Sequence, residues 1–309
     1  MSEFRSPGWL SWIAACAAAI AAARAPADTH YVAASGSTPL APYLSWANAA
    51  NTISAAVAYA ESGDTVLISN GLYVVSTQIL VTNALTIRGV NGPSATVITR
   101  DTAITTRMFF VNSPGAVLDG LTVSNGLVPG TANGAGIYMT QGMLTNCVVV
   151  NNYFATADLS NRRGAGLYLG SGQVWNCAFA YNGSYMSGTA DKGGGIFVAT
   201  SGTAVNCVIG PSNYSMGGSG IWLQKGVIRG CSISSNLLHQ GAGGGIVLAA
   251  DCLVDSCSVV SNKGVFAGSC QGSGIFISGS NCTVRNTAII GNMRTGTGAG
   301  TRSGGGIQV

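Results

Sequence analysis

The sequence predicts an all-β solenoid, a parallel β-helix, and three observations carry that expectation. Gly-x-Gly followed by an aliphatic residue recurs seven times: GAGIYM from Gly134, GAGLYL from Gly164, GGGIFV from Gly193, GSGIWL from Gly218, GGGIVL from Gly243, GSGIFI from Gly272 and GGGIQV from Gly304. The second glycines are spaced by 30, 29, 25, 25, 29 and 32 residues, a period that marks stacked repeats. Each unit then continues alike: Cys147, Cys177, Cys207, Cys231, Cys257 and finally Thr287 sit ten to twelve residues after the aliphatic residue. A further asparagine closes the unit, at Asn152, Asn182, Asn213, Asn236, Asn262 and Asn292. Finally, apolar residues alternate with period two, as at Ile137 and Met139 and again at Cys147 and Val149. That is the pattern of strands with one buried face, and no run is long enough for a helix. Three short strands per unit, each lying on its counterpart in the next, build the solenoid.

Taken in order, residues 1–27 read as a secretory signal. Arg5 lies before an apolar stretch from Leu10 to Ala23, and Ala25-Pro26-Ala27 makes a small-residue cleavage site before Asp28. The stretch is too short for a comfortable membrane crossing, so no transmembrane span is expected and the product is exported, either secreted or on the outer cell surface. Residues 28–62 form an N-terminal cap of strand, loop and helix. His30 to Ala33 make an edge strand and Pro39 and Pro42 punctuate a loop. In SWANAANTISAAVAYA, Trp46, Ala50, Ile53, Val57 and Ala60 fall at helical spacing. A helix opening at Ser45 would cover the open end of the coil and protect its edge. Residues 63–309 form the β-helix, beginning with GDTVLISNGLY and continuing through LTIRGVNG and LDGLTVSNG. Val309 falls inside a strand with no closing cap, so the chain is expected to be truncated at its C-terminal end.

Composition agrees with one long domain. Of 309 residues, 45 are glycine and only 8% are charged, which suits a corner-rich stack better than solvated helices. Without its first 27 residues the chain carries a net charge of +3, which gives no support to nucleic acid as a partner. A monomer is expected. Five of the eight remaining cysteines share one strand position and should stack about 4.8 Å apart as buried thiols acting as small apolar side chains. Cys252 and Cys282 are equivalent corner positions on adjacent coils and are the candidate disulfide. Cys270 lies in a loop, and no cysteine spacing matches a zinc site.

The Gly-x-Gly-Ile units and their closing asparagines resemble the right-handed parallel β-helix, or pectin-lyase-like, superfamily over about residues 60–309. They are also similar to the repeats of polymorphic outer-membrane proteins and autotransporter passengers. The resemblance implies a right-handed coil and an asparagine ladder at the second turn, which Asn146, Asn176, Asn206 and Asn286 fit while Gly230 and Ser256 depart from it. It also implies a glycan ligand on the first sheet, and, for a lyase, calcium-binding acids with an Arg or Lys base.

Between the two inward residues of each first strand lies one outward residue, and five of the seven are aromatic: Tyr138, Tyr168, Phe197, Trp222 and Phe276. An aromatic stripe suits the apolar faces of sugars, although aromatics also simply favour strands and loops can fold back over them. The connecting loops contain Asp158, Arg162, Arg163, Asp191, Lys192, Lys263, Arg294 and Arg302, six basic against two acidic. Arg162, Arg163 and Lys192 beside the stripe would suit an anionic polysaccharide. Asp158 with Arg162, and Asp191 with Lys192, are the only acid-plus-base candidates for catalysis. None of the strings expected of lyases or polygalacturonases is present. The expected function is binding of a polysaccharide or cell-surface glycan along the first sheet. No cofactor is required for binding, and calcium would be added only in a lyase. The alternatives are a polysaccharide lyase or glycoside hydrolase of the same fold, and a stiff adhesin or passenger spacer.

Overall fold

The computed structural model describes residues 26–155, 161–184, 191–265, 270–295, 302–303 and 305–309. Every strand pairing among them is parallel and links one coil to the next, so the chain winds as a right-handed parallel β-helix. Ile137, Leu167, Ile196, Ile221, Ile246, Ile275 and Ile307 stand in one row of the first sheet. Leu144, Val174, Ala204, Ile228 and Val254 form a row of the second sheet. Val149, Phe179, Ile209, Ile233 and Val259 belong to a nine-stranded third sheet. All of these up to Ile275 are buried, so the core is a set of aliphatic columns running along the axis. The period-two pattern thus becomes the inside and outside of each sheet. Phe109–Asp119 and Ile137–Thr145 pass from the first sheet into the second without a break.

The corners explain the punctuation. Asn146, Asn176, Asn206 and Asn286 all have φ between 51° and 53°, the left-handed backbone that asparagine tolerates better than most residues. They are exposed, and Gly230 and Ser256 take the same conformation in other coils. The expected ladder at this row is therefore corrected: these positions are selected by backbone angle, and the continuous side-chain ladder is the other asparagine row. Asn152, Asn182, Asn213, Asn236 and Asn262 are 0% exposed. Each donates from Nδ2 to Oδ1 of the next coil's asparagine, at 2.9, 3.0, 2.9, 2.9 and 2.9 Å, ending on Asn292. The second Nδ2 hydrogen goes to a backbone carbonyl, for example Ile209 O at 3.0 Å from Asn236. A fully satisfied amide row of this kind offsets the cost of burying it. It also dictates the Gly-x-Gly: a Cβ at Gly220 would lie 2.6 Å from Gly245 O and 2.9 Å from Asn236 Nδ2.

The cysteines form a second ladder, and they do more than fill space. The backbone N–H groups of Cys147, Cys207 and Cys231 donate to Sγ of Cys177, Cys231 and Cys257, each at 3.4 Å. Each thiol in turn reaches a carbonyl two residues back, such as Trp175 O at 3.1 Å from Cys177. Thr287 continues the row because its hydroxyl accepts from Cys257 N at 3.3 Å in the same geometry. Burial pushes the Cys177 thiol far above its ordinary range, which keeps it protonated and inert. Cys252 and Cys282 directly precede the paired residues Leu253 and Thr283 on adjacent coils, and both thiols are free. Burial, with the neighbouring Cys282, pushes Cys252 up to about 11.

At the N-terminal end the edge strand runs over Thr29–Val32, one residue earlier than His30 to Ala33, and pairs with Thr65–Ile68. The helix is shorter than the spacing predicts, running only over Ile53–Val57. Thr52 is in extended conformation and caps it, accepting from Ala55 N at 3.3 Å. Residues before it are held by the edge strand instead: Ala50 N donates to Tyr31 O and Ala33 N to Ala50 O, both at 2.9 Å. Pairing with an open strand edge outweighs the helical periodicity there. His30 is buried between Pro42 O at 2.6 Å and Asp64 Oδ2 at 3.1 Å. Burial acts to raise the Asp64 carboxyl, but the N–H groups of Glu61 and Asp28 and the His30 ring outweigh it and hold it below 3.8.

Asn236→Ala should remove three buried side-chain hydrogen bonds, from Asn213 Nδ2, to Asn262 Oδ1 and to the Ile209 carbonyl, and leave a cavity in the row, at a cost of roughly 3 kcal/mol or more. Asn206→Gly, at an exposed left-handed corner, should change stability by less than about 1 kcal/mol. Urea unfolding of the two variants checks the contrast, and equal losses would place the ladder in the wrong row. Because Asp64 is depressed in the folded state, its stabilisation is present above pH 3.8 and is lost as pH falls through the folded value. The deficit of Asp64→Asn relative to the parent should therefore shrink on acidification, as measured by urea midpoints across that range.

Candidate ligand-binding face

The first sheet's outward row is Leu80, Phe110, Tyr138, Tyr168, Phe197, Trp222, Val247, Phe276 and Gln308, one residue per coil. Coil spacing of about 4.8 Å brings neighbouring rings into face contact. Phe110 and Tyr138 stack at 5.5 Å and 9°, Tyr138 and Tyr168 at 4.5 Å and 8°, and Tyr168 and Phe197 at 5.5 Å and 15°. The ring faces in this stretch are therefore turned on each other along the axis. Phe197 is 1% exposed, while Tyr138, Tyr168, Trp222 and Phe276 are half-buried. Of the five aromatic candidates Phe197 is thus closed to solvent, and within the stack ring edges rather than ring faces are turned outward. Burial, with Tyr138 beside it, raises the Tyr168 phenol, so it stays neutral and able to donate.

Three cations lie over this row in a regular pattern. The Arg107 guanidinium sits 5.1 Å from the Tyr138 ring, that of Arg163 5.2 Å from Phe197, and Lys192 Nζ 4.4 Å from Trp222. Each leans from its own coil over the ring of the following one, a favourable cation–π arrangement. Arg107 is pinned by Asn133 O at 2.6 Å, Gly134 O at 2.8 Å and Gln78 Oε1 at 2.8 Å. Arg163 and Lys192 are backbone neighbours on adjacent coils. Among the described residues none of the three has an ion-pair partner within 4.0 Å. Burial and the adjacent Arg163 charge hold Lys192 below its usual range. Among the described residues, no carboxylate on this face compensates that positive charge.

Arg162 and Asp191 are placed differently from the reading of their sequence neighbours. Both side chains are 0% exposed and point inward, under the loops. Arg162 forks onto Asp191 through Nε at 3.1 Å and Nη2 at 2.8 Å, and its remaining donors meet Ala155 O at 2.6 Å and Ser184 Oγ at 3.3 Å. Its guanidinium also covers the Phe154 ring at 4.9 Å. Arg162 is thus removed from the ligand-binding set, and Asp191 is not available as an acid or base on the surface. The alternation of extended backbone supplies the reason: Arg162 and Asp191 face in, while Arg163 and Lys192 face out. Asp158 lies outside the described residues. Arg107 was missed in the sequence because it precedes the regular repeats.

No three His, Cys, Asp or Glu side chains converge among the described residues. The Asp191 carboxylate, on the coil of Lys192, is held by Arg162. Among the described residues no helix is long and apolar enough to cross a membrane.

No family model matches the sequence, and no curated protein matches it. Solved structures do. A pectate lyase, Pel9A, is 16% identical with a TM-score of 0.54, over 89% of this chain and 81% of its own. A rhamnogalacturonan lyase is 14% identical with a TM-score of 0.48, over 85% and 75%. A pectin methylesterase from Aspergillus niger is 13% identical with a TM-score of 0.40, over 85% and 87%. At such identity the likeness establishes the scaffold, and the chain has the pectin-lyase-like right-handed β-helix fold.

Arg162→Met removes the guanidinium from the buried Asp191 carboxylate and should cost about 3–5 kcal/mol. Arg162→Met combined with Asp191→Leu should recover much of that loss. Thermal and urea unfolding of the single and double variants check this, and a single variant as stable as the parent would refute the buried pair.

Proposed function

We propose that the protein is an exported β-helix that binds an extended anionic polysaccharide along its first sheet. Arg163 and Lys192 meet its carboxylates or sulfates, while the Tyr138 and Tyr168 hydroxyls meet its ring substituents. The observation that carries this reading is the run of cations over stacked rings with no opposing acid among the described residues. Cations repeated on neighbouring coils suit a polymer with repeated negative charge. The pectate lyase on a similar scaffold makes an acidic polysaccharide the first ligand to test. Export rests on the segment 1–27, with cleavage before Asp28. An acid–base reaction is less well supported here, since Asp191 is committed to Arg162.

Affinity electrophoresis in polygalacturonate should retard the protein, and a neutral glucan should not. Arg163→Gln with Lys192→Gln should weaken retention at least about tenfold, corresponding to roughly 1.4 kcal/mol, and added salt should weaken the parent similarly. Equal mobility in the two gels would refute the proposal. New ultraviolet absorbance from unsaturated uronate ends would replace it with a lyase.

A further inference from the structure

The second sheet carries a different kind of surface. Over residues 141–146, 171–176 and 201–206, three successive coils in register, no residue is charged. The charges resume immediately on either side, at Asp119 paired with Arg88 and at Arg229 paired with Asp255. In the middle coil stands Trp175, 37% exposed. Its neighbours in the row are Thr145 and Val205. Unlike Tyr138, Tyr168, Phe197 and Trp222, Trp175 has no aromatic ring or cation against it among the described residues. Its Nε1 donates to Gln173 Oε1 at 3.1 Å, which fixes the ring toward that amide.

Around the indole lie exposed carboxamides. Asn146, Asn176 and Asn206 follow Thr145, Trp175 and Val205 directly, and their common left-handed backbone aims them from equivalent corners about one coil spacing apart. Asn176 and Asn206 make no side-chain hydrogen bond among the described residues, and Asn146 uses Nδ2 on Asp119. On the other border of the sheet, Gln141, Ser171 and Gln173 line a cleft of about 170 Å³ with Pro114.

We propose that this surface is a second binding site, for a neutral oligosaccharide. A solvent-facing indole offers a flat apolar surface to the C–H face of a pyranose. Carboxamides both donate and accept, as sugar hydroxyls require. The lack of charge across three coils fits a neutral chain and not the acidic polymer proposed for the first sheet. The two sites use separate sheets, so either stands if the other fails.

The test is titration of the full exported chain with maltohexaose and cellohexaose, followed by tryptophan fluorescence in the parent, Trp175→Ala, Asn176→Asp, and Arg163→Gln with Lys192→Gln. At least one sugar should shift the emission of the parent with little dependence on salt. Trp175→Ala should abolish the shift. Asn176→Asp, which keeps a residue tolerant of the left-handed corner, should weaken binding several-fold, and the first-sheet double variant should bind as the parent does. If Trp175→Ala does not fold, Asn176→Asp with the circular dichroism of the parent decides the matter. No shift with either sugar, a shift that survives in Trp175→Ala, or unchanged affinity in Asn176→Asp would each overturn the proposal.

Discussion

The fold depends on one constraint: a residue must meet its own counterpart one coil away. The buried asparagine row states it most sharply. Asn182 accepts from both the backbone and the side chain of Asn152, at 3.1 and 2.9 Å, while its own Nδ2 reaches Asn213 and the Val149 carbonyl. Each amide is satisfied only if the neighbouring coil has the same residue at the same height. A one-residue slip would strand a donor or acceptor in every coil and turn the aliphatic columns outward. Glycine is imposed at Gly195 and Gly220 by the same crowding, since the ladder amide and the next coil's carbonyl occupy the space a side chain would take.

Because identical positions become spatial neighbours, side-chain chemistry is amplified along the axis. Thiols meet thiols, and a threonine enters the row only where its hydroxyl makes the same bonds. Aromatic residues likewise stack on each other, which fixes the rings but takes their faces out of reach of solvent. That second effect separates the two surfaces. The first sheet presents ring edges under cations, and the second presents a solitary indole among amides.

How much of this the sequence disclosed follows from the same logic. Sheet rows, inward columns and the stripe were legible because the repeat makes them periodic, and Ile137 through Ile307 stand where spacing puts them. The asparagine rows were confused because both recur at one per unit, and only backbone angle and burial separate an exposed corner such as Asn176 from a buried rung such as Asn182. Arg162 and Asp191 were misplaced because loops lack a visible inside and outside until Phe154 and Ser184 are seen beneath them. The cap helix was overextended because Trp46 and Ala50 keep helical spacing while their segment is claimed by an unpaired strand edge. Trp175 is not legible in the repeat because it occurs once, between Thr145 and Val205 in its row.

The forward lean of Arg107, Arg163 and Lys192, each over the ring of the coil after its own, gives the first sheet a sense of direction. Travelling from the N-terminal end one meets charge and then ring, and in reverse, ring and then charge. A polymer whose two ends differ would experience this face as a one-way track, with head-first and tail-first placements no longer equivalent.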